Sequence, residues 1–177
     1  MKQWYALKVF YNRFSAIVAT LERDGVESYV PKTVVEVTTS DGRTSERERP
    51  LSAMLMFLCC DEAYIGRMNK ILCEKAMVYH YPGTNDPAPI PGEEMEDFIT
   101  VTTAMHRGLE LTNHQVTSTD RRTKYLVTEG QYKGVRGYLK RIRGEKRLVV
   151  PVADLLTLAT TSYIPSAFLT PIENRPA

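Results

Sequence analysis

The chain has 177 residues, of which 43% are hydrophobic and 25% charged, and a formal net charge of +2. That balance excludes an intrinsically disordered segment and leaves room for one domain with appendages or two small domains, because compact cores organise around roughly 100–150 residues. The longest apolar run, AMLMFLCC at 53–60, is eight residues long, against the about 20 that a membrane-crossing helix needs, so a cytoplasmic protein with no membrane partner is expected.

Taken in order, residues 3–10 (QWYALKVF) are rich in aromatic and β-favouring side chains and predict a strand. A helix follows over 13–24, where Phe14, Ile17, Val18 and Leu21 recur at three- and four-residue spacing, with Asn12 as its N-cap and Gly25 as its stop. Residues 26–31 return as a strand. Residues 33–38 and 43–49 flank Asp41-Gly42 and predict a polar hairpin with little apolar content, a protrusion near a sheet edge. Residues 55–60 are apolar on both faces and predict a central strand. Asp61 caps a helix over 62–73, residues 77–81 form another strand, and after a proline-rich loop Met95, Phe98 and Ile99 mark a helix over 93–103. This order predicts an α+β fold, a split β-α-β sandwich of antiparallel sheet and helices.

Residues 105–122 lack any sustained apolar period and predict a linker. Beyond it, short strands at 125–127, 136–142, 147–152 and within 164–172, separated by glycine turns, predict a small SH3-like β-barrel. The expected domains are therefore residues 1–104 and 123–177, joined by 105–122. Residues 153–160 (ADLLTLAT) also admit a helix. The window 121–147 holds ten cations and two acids, a concentration suited to nucleic acid or an acidic protein surface.

Nothing in the sequence has the spacing of a catalytic site, so neither an enzyme nor a cofactor or metal site is expected. There is no His-Glu zinc signature, no phosphate-cradling GxxxxGK[ST] and no Gly-x-Ser-x-Gly elbow. Cys59 and Cys60 lie in the apolar run and Cys73 in a helical pattern, which fits buried thiols and not a disulfide framework. His80, His106 and His114 are scattered.

The spacing of Gly130, Gly134 and Gly137, with an aliphatic run ending in Val149-Val150, resembles the KOW motif. Upstream, Trp4-Tyr5, Val30-Pro31, the VVEV hairpin, Pro50-Leu51 and PAPIPGEEMEDFI at 87–99 resemble the N-terminal domain of the NusG family. Almost the whole chain is covered, and within the family the spacing from Trp4-Tyr5 to Leu21-Glu22-Arg23 looks similar to the specialised RfaH-like paralogues, including the antiterminators of Bacteroides capsular polysaccharide operons. The resemblance implies a transcription elongation or antitermination factor that docks on the clamp helices of the largest RNA polymerase subunit, with Leu51, Met54 and Phe57 as contacts. It also implies non-template DNA as a partner of Arg13, Arg23 and Lys75, and a protein contact at Tyr132 on the barrel. Ribosomal protein S10 and Rho are the implied barrel partners of a general family member, but the Phe-Gly loop used for them is replaced here by PVADLLTLATTSYIPSAFL. Two alternatives stand beside this reading: a general elongation factor coupling polymerase to Rho or the ribosome, and a KOW-type RNA-binding or ribosome-associated module.

Overall fold

The computed structural model describes residues 1–72, 74–104, 109–112, 116–117, 119–152, 156–160 and 163–172. Cys73, His106 and His114 lie outside them. Contacts divide the chain into two compact units, Met1–Pro31 with Pro50–Gly92, and Lys32–Arg49 with Glu93–Ala177. The hairpin and the third helix, expected within residues 1–104, thus group with the second unit.

The first unit begins with β1 (Gln3–Val9), α1 (Phe14–Arg23) and β2 (Glu27–Tyr29). Next in the chain come β3 (Lys32–Thr38) and β4 (Thr44–Pro50), whose residues fall almost entirely in the second unit. Then β5 (Leu55–Cys60), α2 (Glu62–Ile71), β6 (Ala76–Val78) and β7 (Pro89–Ile90) complete the first. Its sheet runs β2-β5-β1-β6, with β7 also pairing β1, and all these pairings are antiparallel. This is the α+β, split β-α-β arrangement that the order of segments predicts.

Alternation along the strands sorts the two sheet faces. Tyr5, Leu7 and Val9 of β1 and Met56, Leu58 and Cys60 of β5 share one core with Phe14, Ile17 and Leu21 of α1 and Ile65 and Met68 of α2. The alternate residues Ala6, Leu55 and Phe57 are buried as well, which is why β5 reads as an unbroken apolar run. Burial of each large side chain stabilises the fold by about 1.5–3 kcal/mol.

The helix ends differ from one another in how they close. Asn12 does not cap α1: its φ is 54°, that of Tyr11 is 55°, and Arg13 occupies the cap position with no side-chain hydrogen bond. Asparagine tolerates the left-handed region, and here it serves to reverse the chain after β1. At the other end the Val26 N–H donates to the Leu21 C=O at 2.9 Å and the Gly25 N–H to the Glu22 C=O at 3.0 Å, with Gly25 at φ +67°. That is a Schellman turn, and glycine is the residue that enters it without strain. Asp61 caps α2 by accepting the Tyr64 N–H at 2.7 Å.

The second unit contains α3 (Gly92–Ala104, from Glu93 on) and β8 (Leu109–Thr112), β9 (Lys124–Val127), β10 (Arg136–Ile142), β11 (Glu145–Val152), β12 (Leu156–Thr160) and β13 (Leu169–Ile172). Its sheet order is β13-β9-β10-β11-β12-β8, while β3 and β4 pair only with each other. Two expectations are corrected. Part of the predicted linker is strand β8, running antiparallel to β12 from Leu109↔Thr160 to Thr112↔Thr157; four residues of LELT are too few to register as a period. Residues 156–160 are strand and not helix, held between β11 and β8, with Thr157 through Thr160 all buried; residues 153–155 lie outside the described set. A short run buried on both faces reads the same for either structure.

A Cβ on Gly137 would sit 2.6 Å from the Val149 carbonyl oxygen across the β10–β11 ladder. Gly137→Ala is therefore expected to destabilise the protein by about 1–3 kcal/mol through enforced strand separation. Gly66→Ala, mid-α2 with nothing within 4 Å of the added carbon, should stabilise it by about 0.5–1 kcal/mol. Chemical denaturation of both variants checks the pair.

Asp120, at the end of the predicted linker, is tied to the sheet. Its Oδ2 accepts from Lys140 Nζ at 2.8 Å and from the Thr117 N–H at 2.9 Å and hydroxyl at 2.8 Å. The Lys140 hydrogen bond is the main reason that its carboxyl is pulled down to about 2. A depressed carboxylate stabilises the fold above the ordinary carboxylate range and loses that contribution as pH falls toward 2. Asp120→Asn should cost about 1 kcal/mol at neutral pH once solvent screening is allowed for, and should flatten the stability loss between about pH 4 and 2; thermal melts across that range measure it.

Candidate interaction surfaces

Leu51, Met54 and Phe57 do not share one surface. The Leu51 N–H donates to the Pro31 C=O at 2.7 Å, closing the base of the β3–β4 hairpin, and its side chain is half-buried. Met54 is 50% exposed just before β5. Phe57 is 0% exposed, directly opposite Ala6 on β1 and Tyr29 on β2, and is a core residue. The first unit does offer an aromatic and proline-lined groove of about 420 Å³, bounded by Trp4, Tyr81, Pro89, Ile90 and Pro91. Trp4 faces Ile90 in the β1–β7 pairing, and Tyr81 is 49% exposed. Both segments stand out in the sequence, but their juxtaposition depends on a pairing across about 85 residues that no local pattern encodes.

The three cations expected to form one patch are divided. Arg13 precedes α1, where its guanidinium stacks over Tyr11 at 5.7 Å, and Arg23 ends the ten-residue helix; the two are thus about 15 Å apart along its axis. Arg23 pairs with Asp24 at 3.3 Å and remains 74% exposed. Lys75 belongs with Arg13: its carbonyl accepts the Phe10 N–H at 2.8 Å, and its neighbour Glu74 lines the same hollow as Arg13, Phe10 and Tyr11. Tyr11, 85% exposed, is the surface aromatic at this end that periodicity passed over.

At the far end of α1, the Tyr64 hydroxyl donates to Asp24 Oδ2 at 2.8 Å and Arg67 stacks over the Tyr64 ring at 5.6 Å. Burial, then the Asp24 hydrogen bond, pushes the Tyr64 phenol up to about 12.

In the second unit Tyr132 is 3% exposed, so the expected barrel contact is an interior residue of the β9–β10 turn. The cationic window resolves into two populations. Five cations meet carboxylates: Lys124 and Arg136 on Asp97 at 2.7 Å each, Arg121 on Glu94 at 2.8 Å, Lys140 on Asp120 at 2.8 Å, and Arg147 on Glu110 at 2.9 Å. Asp97 is nearly fully buried on α3. Burial pushes its carboxyl up against the opposing pull of Lys124. Burial works against Lys124 too, but hydrogen bonds to Asp97 and Glu93 leave it above its ordinary value, so it stays charged. By contrast Arg122, Lys133, Arg141, Arg143 and Lys146 are exposed and have no ion-pair partner among the described residues.

Burial pushes the Cys60 thiol up to about 11, away from a nucleophilic thiolate. Among the described residues no group of three or more His, Cys, Asp or Glu is placed to hold a metal ion, and no helix is long and apolar enough to cross a membrane.

No curated protein sequence matches the chain. Among solved structures it is similar to a chain described as "Domain interaction in Thermotoga maritima NusG", at 14% identity over 98% of each chain and a TM-score of 0.44. The family described as "Transcription termination factor nusG" matches residues 2–99, more than half of the sequence and the whole span from β1 into α3. On that match the chain belongs to the NusG family of transcription factors.

Proposed function

We propose that the protein is an RfaH-like antitermination factor: it binds transcribing RNA polymerase through its first unit, reduces pausing or termination, and serves particular operons such as those for polysaccharide synthesis. The family match over residues 2–99 is the observation that carries this reading. The groove of Trp4, Tyr81, Pro89 and Ile90, with Met54 as a further exposed apolar side chain of the same unit, supports docking on the clamp helices of the largest polymerase subunit. The end of α1 that bears Arg13, Tyr11 and Lys75 supports contact with exposed non-template DNA, phosphates meeting the cations and a base meeting the ring. Association alone performs this work, by holding parts of the polymerase in place; no bond is made or broken.

Capture of purified core RNA polymerase by the tagged full chain tests the reading. Retention is expected, and Tyr81→Glu and Met54→Glu should each weaken it at least about tenfold by burying a charge in an apolar interface. A folded full chain that retains no polymerase overturns the proposal, and retention untouched by both substitutions moves docking to another surface.

A further inference from the structure

The β3–β4 hairpin is a two-stranded ribbon whose faces carry opposite charge. Side chains alternate across a strand, so in TSERERP the glutamates at 46 and 48 fall on one face and the arginines at 47 and 49 on the other. Two cross-strand contacts fix which β3 residues join each set: Lys32 Nζ lies 3.2 Å from Glu48 Oε2, and the Thr38 and Thr44 hydroxyls lie 3.5 Å apart. Lys32, Glu36 and Thr38 therefore share the glutamate face. Thr33, Val35 and Val37 share the arginine face, so no acid of β3 or β4 opposes Arg47 or Arg49. Neither arginine has an ion-pair partner among the described residues, and residues 44–49 are exposed without interruption. Arg43 continues the row at the turn, 88% exposed and 3.6 Å from Asp41.

The Lys32–Glu48 contact across this ribbon lies on the glutamate face, and no acid of β3 or β4 stands opposite Arg47 or Arg49. We propose that the arginine face of the β3–β4 ribbon is a binding site for the phosphate backbone of duplex DNA. Guanidinium groups two residues apart stand about 6.7 Å from each other along the strand and engage phosphate oxygens in pairs. A two-stranded ribbon is of a size that the roughly 12 Å wide major groove of DNA admits. Single strands are instead held by aromatic platforms, and this face has none: its side chains are threonine, valine, serine and arginine. The acidic face repels phosphate and so fixes which side of the ribbon turns toward the duplex. The site goes beyond the polymerase contact proposed above and includes none of Arg13, Arg23 and Lys75.

The test is fluorescence anisotropy of the full chain with a labelled mixed-sequence DNA duplex, without polymerase, over a range of salt. Arg47→Gln with Arg49→Gln should weaken binding about tenfold and lower the slope of log affinity against log salt by about 2, one unit for each phosphate that is no longer neutralised. Glu46→Gln with Glu48→Gln should strengthen binding several-fold. Arg141→Gln with Arg143→Gln, an equal loss of charge elsewhere in the second unit, should change the slope less than half as much. The proposal falls if the Arg47 and Arg49 pair leaves affinity and slope unchanged, or if the Arg141 and Arg143 pair matches its effect. It falls equally if a single strand of the same sequence binds as tightly with the same dependence. Loss of polymerase capture by the Arg47 and Arg49 variant with duplex binding intact would assign the face to an acidic protein surface instead. Because no polymerase enters the DNA measurement, failure of either reading leaves the other standing.

Discussion

The pairing of β1 with β5, six residues against six from Gln3↔Cys60 to Lys8↔Leu55, is the constraint on which the first unit rests. It joins segments about 50 residues apart in the chain and leaves both strands flanked on each side. Once it forms, alternation dictates the rest: one face takes α1 and α2, and the other takes Phe57 and Leu55. The same ladder sets the position of Trp4, whose other neighbour is Ile90 of β7. The aromatic groove is thus a by-product of strand register, and a slip of one residue would turn Trp4 to the helical side and Tyr5 to the groove.

In the second unit electrostatics sorts the strands alongside apolar packing. Met95, Phe98, Val127, Leu148 and Leu158 are buried there, and Asp97 draws in Lys124 of β9 and Arg136 of β10, Asp120 draws in Lys140 of β10, and Glu110 draws in Arg147 of β11. Removing a single carboxylate would strand a charge that is partly or wholly out of water, which costs more than the pair itself contributes. The exposed cations outside this arrangement include Arg47 and Arg49 on β3–β4, Arg141, Arg143 and Lys146 at the end of β10–β11, and Arg122 and Lys133 before β9 and β10.

Much of the fold could be read from residue patterns. The strand at 3–10, the central strand at 55–60, the Asp61 cap, the Gly25 stop and the arrangement of an α+β unit followed by a β-rich one all follow from periodicity and turn chemistry. What escaped has physical reasons. Asn12 has the chemistry of a cap and of a left-handed turn, and tertiary context chose the turn. Leu109–Thr112 and Leu156–Thr160 are too short to show a period; the first is a strand by pairing with the second, which is itself held between β8 and β11. Surfaces were less legible than elements. Phe57 and Tyr132 are aromatics whose types suit contact sites, yet burial reserves them for the interior, while Tyr11 follows β1 and Tyr81 lies beyond the end of β6 at Val78, and both are open to solvent.

In the β10–β11 ladder Lys140 lies directly across from Arg147 and Arg141 directly across from Lys146. Two successive like-charge pairs oppose closure of this ribbon, and the first is relieved by Asp120 and Glu110, which arrive from outside it, and by Glu145 at the start of β11. A peptide cut to these two strands would keep only Glu145 against its clustered cations, despite its tight glycine turn and branched side chains. The motif that looks most self-sufficient in the sequence is a dependent part, and grafting it onto another scaffold would require carrying its distant acids along.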